Sequence, residues 1–133
     1  MIGYRWRGSV GNTEMNRLHA EAFGTRVYTD EEWDWVDQLE HHSLGWVTAR
    51  EGNDLVGFVN VVSDGLVHSW LQDTMVANTA RHRGIGTRLI EMAIEEARGA
   101  GCEWLHVDFD ASLRPFYLES CGFTPTSAGL IEL

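Results

Sequence analysis

The sequence has only two cysteines, Cys102 and Cys121, and neither lies in a C-x-x-C or ribbon spacing. That excludes a disulfide framework and a cysteine-based zinc site, and it fits a reducing, cytoplasmic compartment. Basic side chains are few, 10 against 20 acidic ones, for a net charge of -10. A nucleic-acid backbone would meet a repulsive field, so nucleic acid is disfavoured as a partner. No apolar run approaches the roughly 20 residues that cross a bilayer, and none follows the opening Met1-Ile2-Gly3-Tyr4-Arg5, so neither a membrane span nor a leader is expected. Low-complexity segments and fixed-period repeats are also missing.

What is present describes a globular core: 44% apolar residues with six Trp and five Phe. The 133 residues suffice for one domain, 1–133, as a monomer or homodimer, and are too few for two domains that each close a core. Ile2, Tyr4 and Trp6 alternate as in a strand. Asn12-Thr13 is placed to cap a helix carrying Met15, Leu18, Ala22 and Phe23, and Thr29 with Glu32 forms a capping-box pair ahead of a second helix with Trp33, Trp35, Val36 and Leu39. Three strands are expected at Leu44 to Arg50, Leu55 to Val62 and Val67 to Val76, joined by short turns that suit an antiparallel meander.

Gly84-Ile85-Gly86 then opens a helix whose buried face is Ile90, Ala93, Ile94 and Ala97. Trp104 to Phe109 reads as a strand and Leu113 to Ser120 as a short helix with Pro115 in its first turn. One or two short strands are expected between Phe123 and Leu133, with Pro125 confining the first to an edge or an end. The expected order is β-α-α-β-β-β-α-β-α-β, an α/β (α+β) fold with a mixed, mostly antiparallel sheet and helices on both faces.

The segment Arg81-His82-Arg83-Gly84-Ile85-Gly86-Thr87 leads from a strand straight into an amphipathic helix. Unpaired N–H groups and the positive end of the helix dipole converge there, which makes an anion site. A β-carbon at Gly84 or Gly86 would hinder the approach of a diphosphate to the backbone. A Rossmann fingerprint would need a glycine or alanine at Leu89, and a P-loop would need Gly-Lys-Ser/Thr, so neither fits.

Arg81-x-x-Gly84-x-Gly86 resembles the R/Q-x-x-G-x-G/A motif of the GCN5-related N-acetyltransferase (GNAT) superfamily. The element order is similar as well, as are Phe116-Tyr117 and Cys121-Gly122-Phe123 to that family's last helix and its Gly-Phe exit. The resemblance implies acetyl-CoA wedged between the strand ending at Val76 and the strand Trp104 to Phe109. Its diphosphate would rest on the amides of Arg83, Gly84, Ile85, Gly86 and Thr87, with Arg88 near the phosphates. Met75 and Val76 would offer backbone groups to the pantetheine arm and the thioester carbonyl. The implied activity is transfer of an acetyl group to a small-molecule or peptide amine in a ternary complex. Transfer of a longer acyl chain, or acyl-CoA binding without catalysis, are the rival readings.

Acyl transfer to an amine needs a base, a stabilised oxyanion and a proton for the departing thiolate. The family resemblance implies Tyr117 as the acid. The family places this tyrosine four residues before the glycine, whereas Tyr117 lies five before Gly122 and Leu118 fills the expected place; one residue turns a helical side chain by about 100°. For the base, His106, Asp108 and Asp110 alternate along one strand and share a face, with Asp110 placed instead to cap the following helix. Asp73, in the strand that feeds the loop, is a second candidate. Asp30-Glu31-Glu32-Trp33-Asp34-Trp35 could attract and stack a cationic amine, or simply form an acidic first turn over buried indoles. His68 reads as a surface residue, His41-His42 as helix-end polarity and Cys121 as packed. No metal site is expected.

Overall fold

The computed structural model describes residues 1–133 and contains a five-stranded sheet in the order β1-β2-β3-β4-β5. The strands are β1 (Ile2–Trp6), β2 (Ser43–Glu51), β3 (Asp54–Ser63), β4 (His68–Val76) and β5 (Trp104–Val107). The first four pair antiparallel and β5 joins β4 in parallel. Short turns permit the meander, whereas the parallel pair needs the crossover that the third helix provides. The helices are α1 (Asn12–Phe23), α2 (Trp35–His42) and α3 (Ile85–Gly99), followed by a π-helix at Pro115–Ser120. No helix is long and apolar enough to cross a membrane.

Adjacent residues of β3 show that the sheet is covered on both faces. The ring of Phe58 meets Trp35 of α2 edge-on at 6.1 Å, while a β-carbon at Gly57 would lie 2.9 Å from Ile85 and 3.1 Å from Leu89 of α3. Successive residues of a strand point to opposite faces, so α2 and α3 lie on opposite sides. Phe58, Trp35, Val47, Val59, Ile85, Leu89 and Ile90 are all buried in one core. Because α3 touches the backbone at Gly57, Gly57→Ala is expected to destabilise the protein by about 1–3 kcal/mol through overpacking, read as a lower urea midpoint at constant m-value.

Three local expectations are corrected. Gly11, not Asn12-Thr13, caps α1, its N–H donating to the Glu14 carboxylate at 2.9 Å. Asn12 instead accepts from the Val36 N–H at 3.0 Å and donates to Asp34 at 2.9 Å, tying α1 to the start of α2. The Thr29–Glu32 box does form, with bonds of 3.0 and 3.2 Å, yet it closes an isolated turn; α2 begins later, capped by Asp34. Finally, residues 123–133 form no strand. Pro125 lacks a donor and Gly129 favours no extended pairing, and a groove of about 890 Å³ lined by both this segment and β5 holds no pairing strand.

Candidate active site

The parallel pairing of β4 with β5 runs from His68 opposite Trp104 to Leu71 opposite Val107 and then stops. Beyond it the two strands part, leaving Gln72 to Val76 on one side and Asp108 and Phe109 on the other. A bulge in β4 accompanies the parting. Phe58 pairs with Met75 and Asn60 with Gln72, so two steps along β3 face three along β4. The bulge contains Asp73, whose φ of 55° puts a non-glycine residue in the left-handed region. Its carboxylate is half-buried, engages in no hydrogen bond or ion pair, and is pushed above the ordinary carboxyl pKa by desolvation.

The end of β4 leads into the glycine-containing loop. Met75 is buried and Val76 half-buried; the Ala77 N–H donates to the Val56 carbonyl at 2.8 Å. A 3₁₀ turn at Asn78–Ala80 follows, then Arg81, then His82 and Gly84 with φ of 62° and 75°. The first bond of α3 runs from the Arg88 N–H to the Gly84 carbonyl, 3.1 Å. The N–H groups of Ile85, Gly86 and Thr87 therefore precede the helical ladder and have no acceptor within it.

The loop's side chains differ from its backbone in what they offer. Arg83 is held by Glu51 at 2.8 and 3.2 Å, and Arg88 lies 3.4 Å from Glu91. Arg81 forms no ion pair, which leaves it the one unengaged guanidinium of the three. Glycine at position 86 also has a packing reason. A β-carbon there would point at the Phe116 ring, 3.2 and 3.3 Å away, and at Val76, 3.9 Å away. Gly86 thus lets the Phe116 side chain pack against the start of α3. At Gly84 a β-carbon would meet nothing within 4 Å, and the positive φ is what favours glycine.

Tyr117 sits on the other wall. The Pro115–Ser120 segment is wound as a π-helix, and the Cys121 N–H reaches back five residues to the Phe116 carbonyl at 3.0 Å. This wider winding takes up one residue more than an α-helical turn, the size of the offset seen in the sequence. Tyr117 is 4% exposed and donates its hydroxyl proton to Thr74 Oγ1 at 3.0 Å. Its ring stacks on Phe109, centroids 4.9 Å apart, and meets Phe116 and Phe123 edge-on. Burial pushes the phenol pKa up, and the bond to Thr74 opposes that rise. The phenol thus bridges from β5's exit to the bulged strand.

His106 is exposed where β4 and β5 are still paired. Its Nε2 is 2.9 Å from Nδ1 of His68, and Trp70 stacks on it at 5.1 Å, so His68 is part of a ring cluster. Asp108 is exposed just past the last paired residue. Asp110 precedes a 3₁₀ turn, and its carboxylate accepts from the Ser112 hydroxyl at 3.4 Å, not from a backbone N–H. The acid-and-indole segment is largely engaged in structure. Asp30 accepts from Thr13 and Asn16, Glu32 is paired with Arg26, and Trp35 is fully buried with its N–H on Asn16. His41 contacts Asp37 at its own helix end. Cys121 is pushed up to about 11 by burial, which leaves it a neutral thiol. No three His, Cys, Asp or Glu side chains converge as a metal cluster.

Thr74 was not singled out from the sequence. Its partner lies 43 residues away, and a threonine in a strand is ordinary, so no local signal marks it.

Known proteins resemble this chain in sequence and in fold. Glucosamine 6-phosphate N-acetyltransferase 1 of rice (Oryza sativa subsp. japonica) is 38% identical over 53 residues, which are 40% of this chain and 32% of that protein. The match thus spans about a third of the relative's length. A probable acetyltransferase from meticillin-resistant Staphylococcus aureus superposes with a TM-score of 0.82 at 20% identity, over 100% of this chain and 99% of the other. The aminoglycoside N-acetyltransferase AAC(6')-Iy in complex with CoA has a TM-score of 0.78 at 16% identity, covering 100% and 94% of the two chains. Residues 12–123 match the model of the acetyltransferase (GNAT) family, and the chain belongs to that family.

Proposed function

We propose that this protein transfers an acetyl group from acetyl-CoA to an amine by direct attack in a ternary complex. One observation carries the reading: the strand that parts from its neighbour at Leu71 leads through a short loop to a helix start with three orphan amides, and a buried tyrosine hydroxyl closes the same parting. CoA binding is a family property, and the residues present fit that ligand. The amides of Arg83 to Thr87 and the free guanidinium of Arg81 offer donors for a diphosphate, while Met75 and Val76 offer the strand edge for an amide-bearing arm. Arg83 contributes through its backbone, its side chain being committed to Glu51.

Acetyl-CoA supplies the acyl group as a thioester; the chain's own groups position it and move protons. Asp73 accepts the proton of the attacking amine, directly or through water. It is favoured over His106, which lies where β4 and β5 are still paired, and over the exposed Asp108, because it is desolvated without a partner. Tyr117 donates its proton to the departing sulfur. Acyl-CoA binding without catalysis is the competing reading, and the π-helix weighs against it by carrying the Tyr117 hydroxyl to β4 despite the offset.

The test is calorimetric titration of CoA and acetyl-CoA, followed by thiol release over a panel of amines that includes glucosamine 6-phosphate, which the rice relative's name supports. The chain contains no lysine, so no internal ε-amine competes as acceptor. Binding with amine-dependent thiol release is expected; absence of binding overturns the proposal. Asp73→Asn is expected to lower kcat by about 100-fold and to remove the acid limb of the kcat–pH profile. The sign follows from the base being active only when ionised: activity falls as pH drops through a pKa raised above the usual carboxylate value. An unchanged profile would return the role to His106 or Asp108.

A further inference from the structure

We infer that Thr74 is a positioning residue for proton donation, holding the Tyr117 hydroxyl on the β4 side of the parting and stabilising the phenolate that donation leaves behind. The inference rests on the proposal that Tyr117 is the acid. It starts from the bulge. Without the extra residue at Asp73, continued antiparallel register from Asn60–Gln72 would shift every later residue of β4 by one, and a one-residue slip reverses which face each side chain takes. The bulge therefore decides that Thr74, and not a neighbour, meets Tyr117.

The contact has properties that a packing contact does not need. A threonine hydroxyl is at once a donor and an acceptor and turns freely about its C–O bond. In the resting protein it accepts the Tyr117 proton at 3.0 Å. When the phenol O–H bond breaks and the proton forms the S–H bond of the departing thiol, the same hydroxyl can rotate and donate to the phenolate oxygen. The proton taken from the amine by Asp73 leaves to solvent, and the phenolate regains one from solvent, so the cycle closes. Phe109, Phe116 and Phe123 surround the ring and supply no donor, and Thr74 is the only residue bonded to the phenol oxygen. The titratable neighbour Cys121, a neutral thiol, offers no compensating positive charge.

Thr74→Val keeps the shape and removes the hydroxyl. It is expected to lower kcat about tenfold, the rate equivalent of one ordinary hydrogen bond, with the acetyl-CoA dissociation constant unchanged. The basic limb of the kcat–pH profile should move upward, since the bond that lowers the phenol pKa is gone. Thr74→Ser should restore both. A readout independent of turnover is the 13Cζ chemical shift of Tyr117 at neutral pH in the ligand-free protein, expected to change in the valine variant and to return in the serine variant. Tyr117→Phe is measured alongside. Wild-type kcat and basic limb in Thr74→Val, with turnover lost in Tyr117→Phe, would overturn the role of Thr74 and leave the acid in place. Full turnover in Tyr117→Phe would remove the acid itself, and this inference with it.

Discussion

Tyr117→Phe is expected to lower kcat by about 100- to 1,000-fold while acetyl-CoA affinity stays within about twofold, because a positioned acid contributes on that scale to the step and little to binding. The phenol ring supplies the packing against Phe109, Phe116 and Phe123, and phenylalanine keeps that ring. Only the hydroxyl and its bond to Thr74 are lost. The thermal midpoint should therefore fall by a few degrees at most, in line with one hydrogen bond of about 1 kcal/mol in a domain of this size. Steady-state kinetics with saturating amine, together with calorimetry on acetyl-CoA, separate the two quantities. A wild-type kcat would assign the tyrosine to packing alone.

Gly86→Val is expected to weaken CoA binding by on the order of 100-fold, the cost of misplacing two charge-assisted hydrogen bonds. The added β-carbon would lie 3.2 Å from Phe116 Cζ before its two methyl groups are counted. Relief requires the first turn of α3 and the Pro115–Ser120 π-helix to separate, and the N–H groups of Ile85, Gly86 and Thr87 move with that turn. Overpacking should also cost about 1–3 kcal/mol of stability. Since Tyr117 neighbours Phe116 in the displaced helix, kcat at saturating acetyl-CoA should fall as well. Wild-type CoA affinity in a folded Gly86→Val protein would remove the α3 start as the anchor. Circular dichroism and calorimetry on the same sample decide it.

The parts of this architecture that local chemistry dictates were legible in the sequence. The strand pattern at Leu44 to Val76 and the Gly84-to-α3 junction depend on alternation, turn residues and glycine, and the structure places them within one or two residues. The Thr29–Glu32 box shows the limit: the hydrogen bonds form as the residues require, yet Asp34 and the side chain of Asn12 from another helix decide where α2 starts. The last expected strand failed because pairing is a property of two segments, and residues 123–133 find no partner. At the site, the glycines at 84 and 86 were readable but the packing of Phe116 on Gly86 was not, since the two are 30 positions apart. The left-handed Asp73 and the bond from Tyr117 to Thr74 belong to the register of β4 on β3, which no short window encodes.

The π-helix at Pro115–Ser120 has a consequence for how related sequences are lined up. Position-by-position matching back from Gly122 puts Leu118, not Tyr117, in the place where the family resemblance implies a tyrosine. Insertions are customarily assigned to loops, but here the extra residue is absorbed inside a hydrogen-bonded helix. A gap opened within the helix would set Tyr117 in that place. On the role proposed for Tyr117, a relative with its tyrosine one place upstream and the same π-winding would keep the acid.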